Sequence, residues 1–274
     1  MQNELKIAFV GGGNMAQALI GGLAGKLTAA QNIHVIDVVP ETLSRLATMF
    51  GVTTAAAPTE MLAAADVIVL AIKPQQMRDV VASVKPFMKS QVVLSIAAGI
   101  RAADLSRWLG GHQAIVRTMP NTPALVGKGI TGAVAMAGVS EAQRQAADAI
   151  LRAVGETVWI ADEAQIDAVT ALSGSGPAYV FYFIEAMQQA AVELGLSEAQ
   201  GRQLAQATFA GAAELAARSE DPVSLLRERV TSKGGTTYAA LTSMEASGMK
   251  AAFVKALHAA AARGKELGEE FGKD

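Results

Sequence analysis

The segment SKGGTT, Ser232 to Thr237, places two glycines and two threonines directly ahead of a helical pattern. Glycine costs conformational order there, and β-branched threonine is an indifferent helix former. Such a segment offers bare main-chain amides and hydroxyls rather than helix stability. A second chemistry-bearing stretch lies near the start, IAFVGGGNMAQALIGGL. Gly11, Gly13 and Ala16 have the spacing of a strand-to-helix turn that receives a dinucleotide. Gly11 allows the tight turn, Gly13 a close backbone approach, and Ala16 the packing of helix on strand. Asn14 and Met15 open the helix, where free amides hold a pyrophosphate. A glycine-rich turn can also be only a turn. Here an acidic residue, Asp37, closes the next strand, as the dinucleotide pattern requires.

Asp37 has two readings. A carboxylate at this position accepts hydrogen bonds from both ribose hydroxyls of NADH and repels a 2′-phosphate. In DVVPETLSR no arginine or lysine follows before Arg45, so no phosphate clamp is evident. Alternatively, Asp37 caps the turn into a helix beginning near Pro40. Ligands of open parallel sheets collect at the carboxyl ends of the strands, and three further strand ends fit. Ile72, Lys73 and Pro74 follow one apolar run, Ala97, Ala98 and Gly99 a second, and Met119, Pro120 and Asn121 a third. The prolines fix loop shape and the small residues admit a ring. Lys73 reads equally well as a solvated surface lysine. The histidines (His34 in a strand, His112 in a glycine-rich turn, His258 on an alanine-rich helix) read as structural or surface residues. There is no cysteine, which excludes disulfides, thiolate metal sites and cysteine nucleophiles. No metal is expected.

The elements that must position these residues fall into two halves. Strands are expected at Lys6–Val10, Ile33–Asp37, Val67–Ile72, Val92–Ile96, Ala114–Thr118, Gly132–Ala137 and Thr157–Ile160. Most are almost continuously apolar, as in a sheet covered on both faces. Pro40, Pro58 and Pro74 suit first helical turns, and Ser140–Gln143 has capping-box spacing. The expected fold class is α/β: an N-terminal Rossmann-type, doubly wound parallel sheet over residues 1–161, then an all-helical domain over residues 162–274. The later helices are alanine-rich and apolar around most of their circumference, so they need cover on most sides. The expectation is that they complete a core by pairing with a second copy; the alternative is that they bury one another within one chain. The 274 residues are 51% apolar and 18% charged, a globular composition, and net charge −2 disfavours nucleic acid as a partner. No apolar run approaches a membrane span and the start lacks a secretory layout, so a cytoplasmic protein is expected.

Six segments in this order, GGGNMA, AIKPQ, SIAAG, MPNTPA, SGSGPAYVFYFIEA and SKGGTT, resemble pyrroline-5-carboxylate reductase, the last enzyme of proline biosynthesis. The resemblance runs from Ile7 to about Glu266. It implies a Rossmann domain, an interlocked helical dimerisation domain, and often a larger ring of dimers. It further implies NADPH or NADH as hydride donor and 1-pyrroline-5-carboxylate as acceptor. NADPH is the usual donor, and members favouring it tend to carry a small polar residue or a nearby arginine where this chain has Asp37, which tilts the expectation towards NADH.

A cyclic imine also accounts for the scarcity of acid–base groups. Protonated before attack, it accepts hydride directly, and most of the rate gain comes from proximity and orientation. The carboxylate of the ring would sit on the amides of Gly234, Gly235, Thr236 and Thr237 at a helix N-terminus. The Thr237 hydroxyl is the candidate catalytic group, bonded to the ring nitrogen, a role the resemblance also suggests. Against this, Thr236 or Thr237 would serve only as an N-cap. The turn Ser173–Pro177 would bring Ser175 to the substrate, while Tyr179, Phe181, Tyr182 and Phe183 read as core and dimer contacts. Two other functions compete. A β-hydroxyacid dehydrogenase is disfavoured because no lysine occurs between Lys128 and Lys233. A dinucleotide-sensing regulator is disfavoured because it has no use for a second anion site at SKGGTT.

Overall fold

The computed structural model describes residues 5–273. Eight strands, Ile7–Val10 (β1), Ile33–Ile36 (β2), Thr53–Ala55 (β3), Val67–Leu70 (β4), Val92–Ser95 (β5), Ile115–Met119 (β6), Gly129–Ala135 (β7) and Gly155–Trp159 (β8), join in one sheet of order β3-β2-β1-β4-β5-β6-β7-β8. Strand β1 lies between β2 and β4, so the chain winds outward in both directions from it and opens a crevice at its carboxyl end. Every residue of β1, β2, β4 and β5 is buried, which is why these runs carry no polar alternation.

Around the sheet stand Asn14–Leu23 (α1), Pro40–Phe50 (α2), Glu60–Ala63 (α3), Met77–Val84 (α4), Ala102–Trp108 (α5), Glu141–Arg152 (α6) and Ile166–Val169 (α7). The twofold strand period sends successive residues to opposite layers. Ile7, Phe9, Val67 and Val69 pack with Leu19, Ile20, Leu46 and Ile150 of α1, α2 and α6. Ala8, Val10, Ile68 and Leu70 pack with Met77, Val81 and Leu105 of α4 and α5.

The structure departs from the sequence reading in three places. Strand β3 is an addition, because three residues at a sheet edge are too short to show a period. Strand β7 runs antiparallel to β6, and β8 follows β7 in parallel. The connection from Pro120 to Lys128 holds only a 3₁₀ turn, Thr122–Val126, and is too short for the helical crossover a parallel return needs. Pro40 opens α2 and Pro74 opens a 3₁₀ turn, but Pro58 stays outside α3, whose cap is the Thr59 hydroxyl accepting from the Met61 amide. Ser140 and Gln143 do form a capping box, and the same tetrapeptide, Ser197 to Gln200, caps a later helix in the same way.

Among the described residues no strand follows β8, yet by compactness the chain divides later than residue 161. One unit runs up to Ser175 and resumes at Ala260; the other is Gly176–Ala259. The reason is local. Glu163 accepts hydrogen bonds from the Ala102 amide and from Arg117, and Val169 fills the space beside Gly132, so residues 163–175 are fastened to the sheet unit.

The remaining helices are Gly176–Glu193 (α8), Glu198–Arg218 (α9), Val223–Arg229 (α10), Thr236–Ala246 (α11) and Met249–Phe271 (α12). Within the second unit, Gly201 packs on Ala191 of α8, and the Phe253 ring meets Tyr179 edge-on at 5.8 Å and Phe183 at 5.7 Å. None of the residues of α8 is buried, and Phe181 and Tyr182 are 64% and 69% exposed. The helices of one chain therefore do not cover one another. Among the described residues no helix is long and apolar enough to cross a membrane.

Candidate active site

The first loop leaves β1 at Gly11, whose φ of 98° is left-handed and suited to glycine. A side chain there would run into the Ala71 carbonyl and Ile72, so the turn lies directly on the end of β4. Gly13 caps α1 without a side chain, and the space beside its α-carbon is open. The first amide to bond back into α1 is that of Gln17, to the Gly13 carbonyl. The amides of Asn14, Met15 and Ala16 therefore precede the helical ladder, and this open N-terminus fits a pyrophosphate.

Asp37 caps the turn, one of its two readings. One carboxylate oxygen accepts from the Gly12 amide at 2.7 Å, and the other from the Val39 amide at 2.9 Å. Each oxygen keeps a further lone pair, so the capped carboxylate can still receive ribose hydroxyls. Gly12, absent from the sequence reading, is the residue that ties the glycine-rich turn to this acid. Its only signal in the sequence is its place between Gly11 and Gly13.

The other loops gather at the same edge of the sheet. Ile72 is half-buried after β4, and Lys73 is exposed at the start of its 3₁₀ turn. Ala97 is buried and Ala98 half-buried after β5, and Gly99 has φ 74°. A Cβ on Gly99 would lie 3.1 Å from Leu267 and 3.2 Å from Phe271, so the last turns of α12 back this loop. After β6, Met119 is half-buried and Pro120 buried. Asn121 is 8% exposed, and its side chain is spent within the protein. Its Nδ2 donates to the Ser173 carbonyl at 3.2 Å, and its Oδ1 accepts from the Ile130 amide at 3.0 Å. Ser175 is half-buried and ends a wide turn in which its amide donates to the Thr170 carbonyl at 2.8 Å.

In the helical unit, Gly234 has φ 75° and Gly235 is the cap of α11, with no side-chain cap bond. Thr236 and Thr237 are the first two residues of the helix, so neither is its N-cap. The Gly235 amide closes a turn onto the Ser232 carbonyl at 3.0 Å, and the first amide bonded back into α11 is that of Ala239. The amides of Thr236, Thr237 and Tyr238 precede that bond. A side chain on Gly235 would strike the Ser232 hydroxyl, so glycine here lets Ser232 lie against the cap. Thr237 is half-buried; Thr236 and Lys233 are exposed.

The histidines stand apart from these groups. The Nδ1 of His34 pairs with Thr53 Oγ1 at 2.9 Å, and burial holds its pKa below the ordinary value. His112 pairs with the Gln91 carbonyl at 2.9 Å, and His258 is exposed on α12. Among the described residues no group of three acidic, histidine or cysteine side chains is placed to hold a metal ion.

Residues 163–267 match the profile of the pyrroline-5-carboxylate reductase dimerisation domain, and residues 6–99 match that of coenzyme F420-dependent NADP oxidoreductases. The chain is 46% identical to the pyrroline-5-carboxylate reductase of Pseudomonas aeruginosa over 98% of each protein. It is 38% identical to that of Escherichia coli, covering 93% of this chain and 95% of the relative. Among solved structures, a pyrroline-5-carboxylate reductase from Coxiella burnetii aligns with a TM-score of 0.91 and 40% identity, over 97% of this chain and 99% of its own. The pyrroline carboxylate reductase of Plasmodium falciparum, solved with NADP bound, aligns with a TM-score of 0.87 and 31% identity, over 98% and 99%.

Proposed function

The chain belongs to the pyrroline-5-carboxylate reductase family, and on that premise we propose how its residues carry the reaction. The protein reduces 1-pyrroline-5-carboxylate to L-proline, the last step of proline biosynthesis. Reduced nicotinamide, when bound, supplies the hydride that adds to the imine carbon. The π electrons of the C=N bond move to the nitrogen, already protonated, which becomes the secondary amine of the ring.

The chain supplies binding and orientation. The amides of Asn14 to Ala16 take the pyrophosphate, with Gly11 and Gly13 giving it room. Asp37 takes the adenosine ribose. Ile72–Pro74, Ala97–Gly99 and Met119–Asn121 shape the nicotinamide end, Asn121 by its main chain, since its side chain is engaged. Gly234, Gly235, Thr236 and Thr237 hold the substrate carboxylate, the Thr237 hydroxyl bonds the ring nitrogen, and Ser175 lines the substrate. The observation that carries this reading is the N-terminus of α11, where a glycine cap leaves the leading amides without a side-chain cap bond.

Purified protein given the racemic imine with NADH or NADPH tests the reaction. No loss of reduced-nicotinamide absorbance with either donor would end it. Thr237→Ala should lower kcat/KM for the imine roughly ten- to hundredfold, the worth of a hydrogen bond to a charged group, while Thr237→Ser keeps most activity. Unchanged turnover in Thr237→Ala would remove that role for the hydroxyl.

Two finer points belong to the same proposal. With both oxygens already oriented by main-chain amides, Asp37 favours NADH over NADPH. The dimers formed through the helical unit assemble further into a ring. We assign the reaction to the cytoplasm, where reduced nicotinamide is at hand; activity confined to another cell fraction would overturn that.

A further inference from the structure

Pro177 has no main-chain N–H, so the Ser173 carbonyl, four residues before it, lacks the donor that a continuing helix would provide. A part-buried carbonyl left without a partner is costly. The side-chain hydroxyls of this stretch are already committed: Thr170 Oγ1 donates to the Ile166 carbonyl at 2.8 Å, and Ser173 Oγ to the Val169 carbonyl at 3.0 Å. The Thr170–Gly174 turn is of the wide, π type, which takes in one residue more than an α-helical turn and so re-aims Ser175, the residue directly after it.

The missing donor comes from the cofactor loop. Asn121 Nδ2 reaches the Ser173 carbonyl, and its Oδ1 is held by the Ile130 amide, so the side chain cannot swing away. Next to this bond, Gly174 lies against Met119 so closely that a Cβ would overlap the methionine. The segment 163–175 is also fastened at its other end, where Arg117 of β6, 4% exposed, pairs with Glu163 at 2.9 Å. Strand β6 and the loop after it therefore grip this segment at both ends.

We propose that Asn121 is a positioning residue for the reaction, setting the Ser175 turn against the Met119–Asn121 loop through its bond to the Ser173 carbonyl. This rests on the reading of Ser175 as lining the substrate. The geometry explains why MPN and SGSGP, remote in sequence, act as one unit: the proline of the second leaves a carbonyl that the asparagine of the first fills. A displacement of the turn would misplace the imine and leave cofactor affinity nearly intact, because the glycine-rich turn and Asp37 lie elsewhere on the sheet edge.

Asn121→Asp isolates the bond. The introduced carboxylate still accepts from the Ile130 amide but repels the Ser173 carbonyl. Its kcat/KM for the imine should fall roughly ten- to hundredfold near neutral pH, with cofactor KM changed less than about threefold. Taken as a ratio to wild type at each pH, activity should recover as the medium is acidified, because the protonated carboxyl donates again. A ratio flat with pH, a loss confined to cofactor KM, or no loss at all overturns the proposal.

Asn121→Ser, alone and combined with Pro177→Ala, gives a second readout should the acidic variant fail to fold. Pro177→Ala restores an N–H four residues after Ser173, so the double variant should regain part of the activity; no recovery counts against the proposal. Ser175→Ala separates the two readings. Full activity in Ser175→Ala beside a pH-recoverable Asn121→Asp removes a substrate contact by the Ser175 hydroxyl and leaves the positioning of the turn intact. Impairment of Ser175→Ala beside an unaffected Asn121→Asp removes the positioning alone.

Discussion

At the scale of single residues, the structure replaces choices with combinations. Asp37 reads in the sequence as either a ribose acceptor or a turn cap, and the fold makes it a cap on two amides while each carboxylate oxygen keeps a lone pair. On the ribose role proposed for Asp37, the two capping bonds hold its carboxylate where a 2′-phosphate would meet like charge. Asp37→Ser should therefore lower the NADPH KM relative to NADH by roughly tenfold, the worth of about 1.4 kcal/mol, in parallel cofactor titrations. Equal responses of both cofactors would leave the carboxylate as a cap only. Thr237 resolves the other way: its N-cap alternative is gone because Gly235 occupies that position. Asn121 was legible as a member of the cofactor loop, but not as a side chain turned to Ser173, because that contact spans chain positions no local pattern connects.

At the scale of elements, long apolar runs and capped helices were readable and short edge pieces were not. Strand β3 is three residues, yet it holds a histidine in place. Thr53 Oγ1 bonds the Ile33 carbonyl at 3.1 Å and pairs with His34 Nδ1 at 2.9 Å. Burial lowers the His34 pKa from 6.5, so between the folded and unfolded values the unfolded chain binds the proton more readily. The stability this lends is complete above the unfolded value and is lost as pH falls through that window. Thermal melts should thus decline on acidification below neutrality more steeply in wild type than in His34→Gln, and identical slopes would show that His34 does not report this edge. The return of α12 to the loop at Gly99 was equally hidden, since nothing in a helical pattern says where its last turns dock.

At the scale of the whole molecule, exposure decides. An eighteen-residue helix with no buried residue, carrying Phe181 and Tyr182 largely in the open, is a face waiting for cover. Its membership in a dimerisation domain identifies the cover as a second copy. Phe181→Asp should shift the protein towards smaller species in sedimentation equilibrium and make its melting temperature depend on concentration. An unchanged mass would place that ring outside the interface. The wild-type mass in the same experiment tells a dimer from a ring of dimers.

The sequence by itself determined the sheet, the glycine-rich turn with its acid, the bare glycine–threonine segment before α11, and the apolar helices that demand a partner. These are written in periods, in residue type and in spacing along the chain, which local sterics and the hydrophobic effect convert directly into elements. Tertiary structure alone decided the reversed direction of β7, the later divide at Ser175, the capping bonds of Asp37 and the bond from Asn121 to Ser173. Each of these depends on which groups, far apart in the chain, arrive at the same place with complementary donors and acceptors, and that is fixed only when the whole core closes.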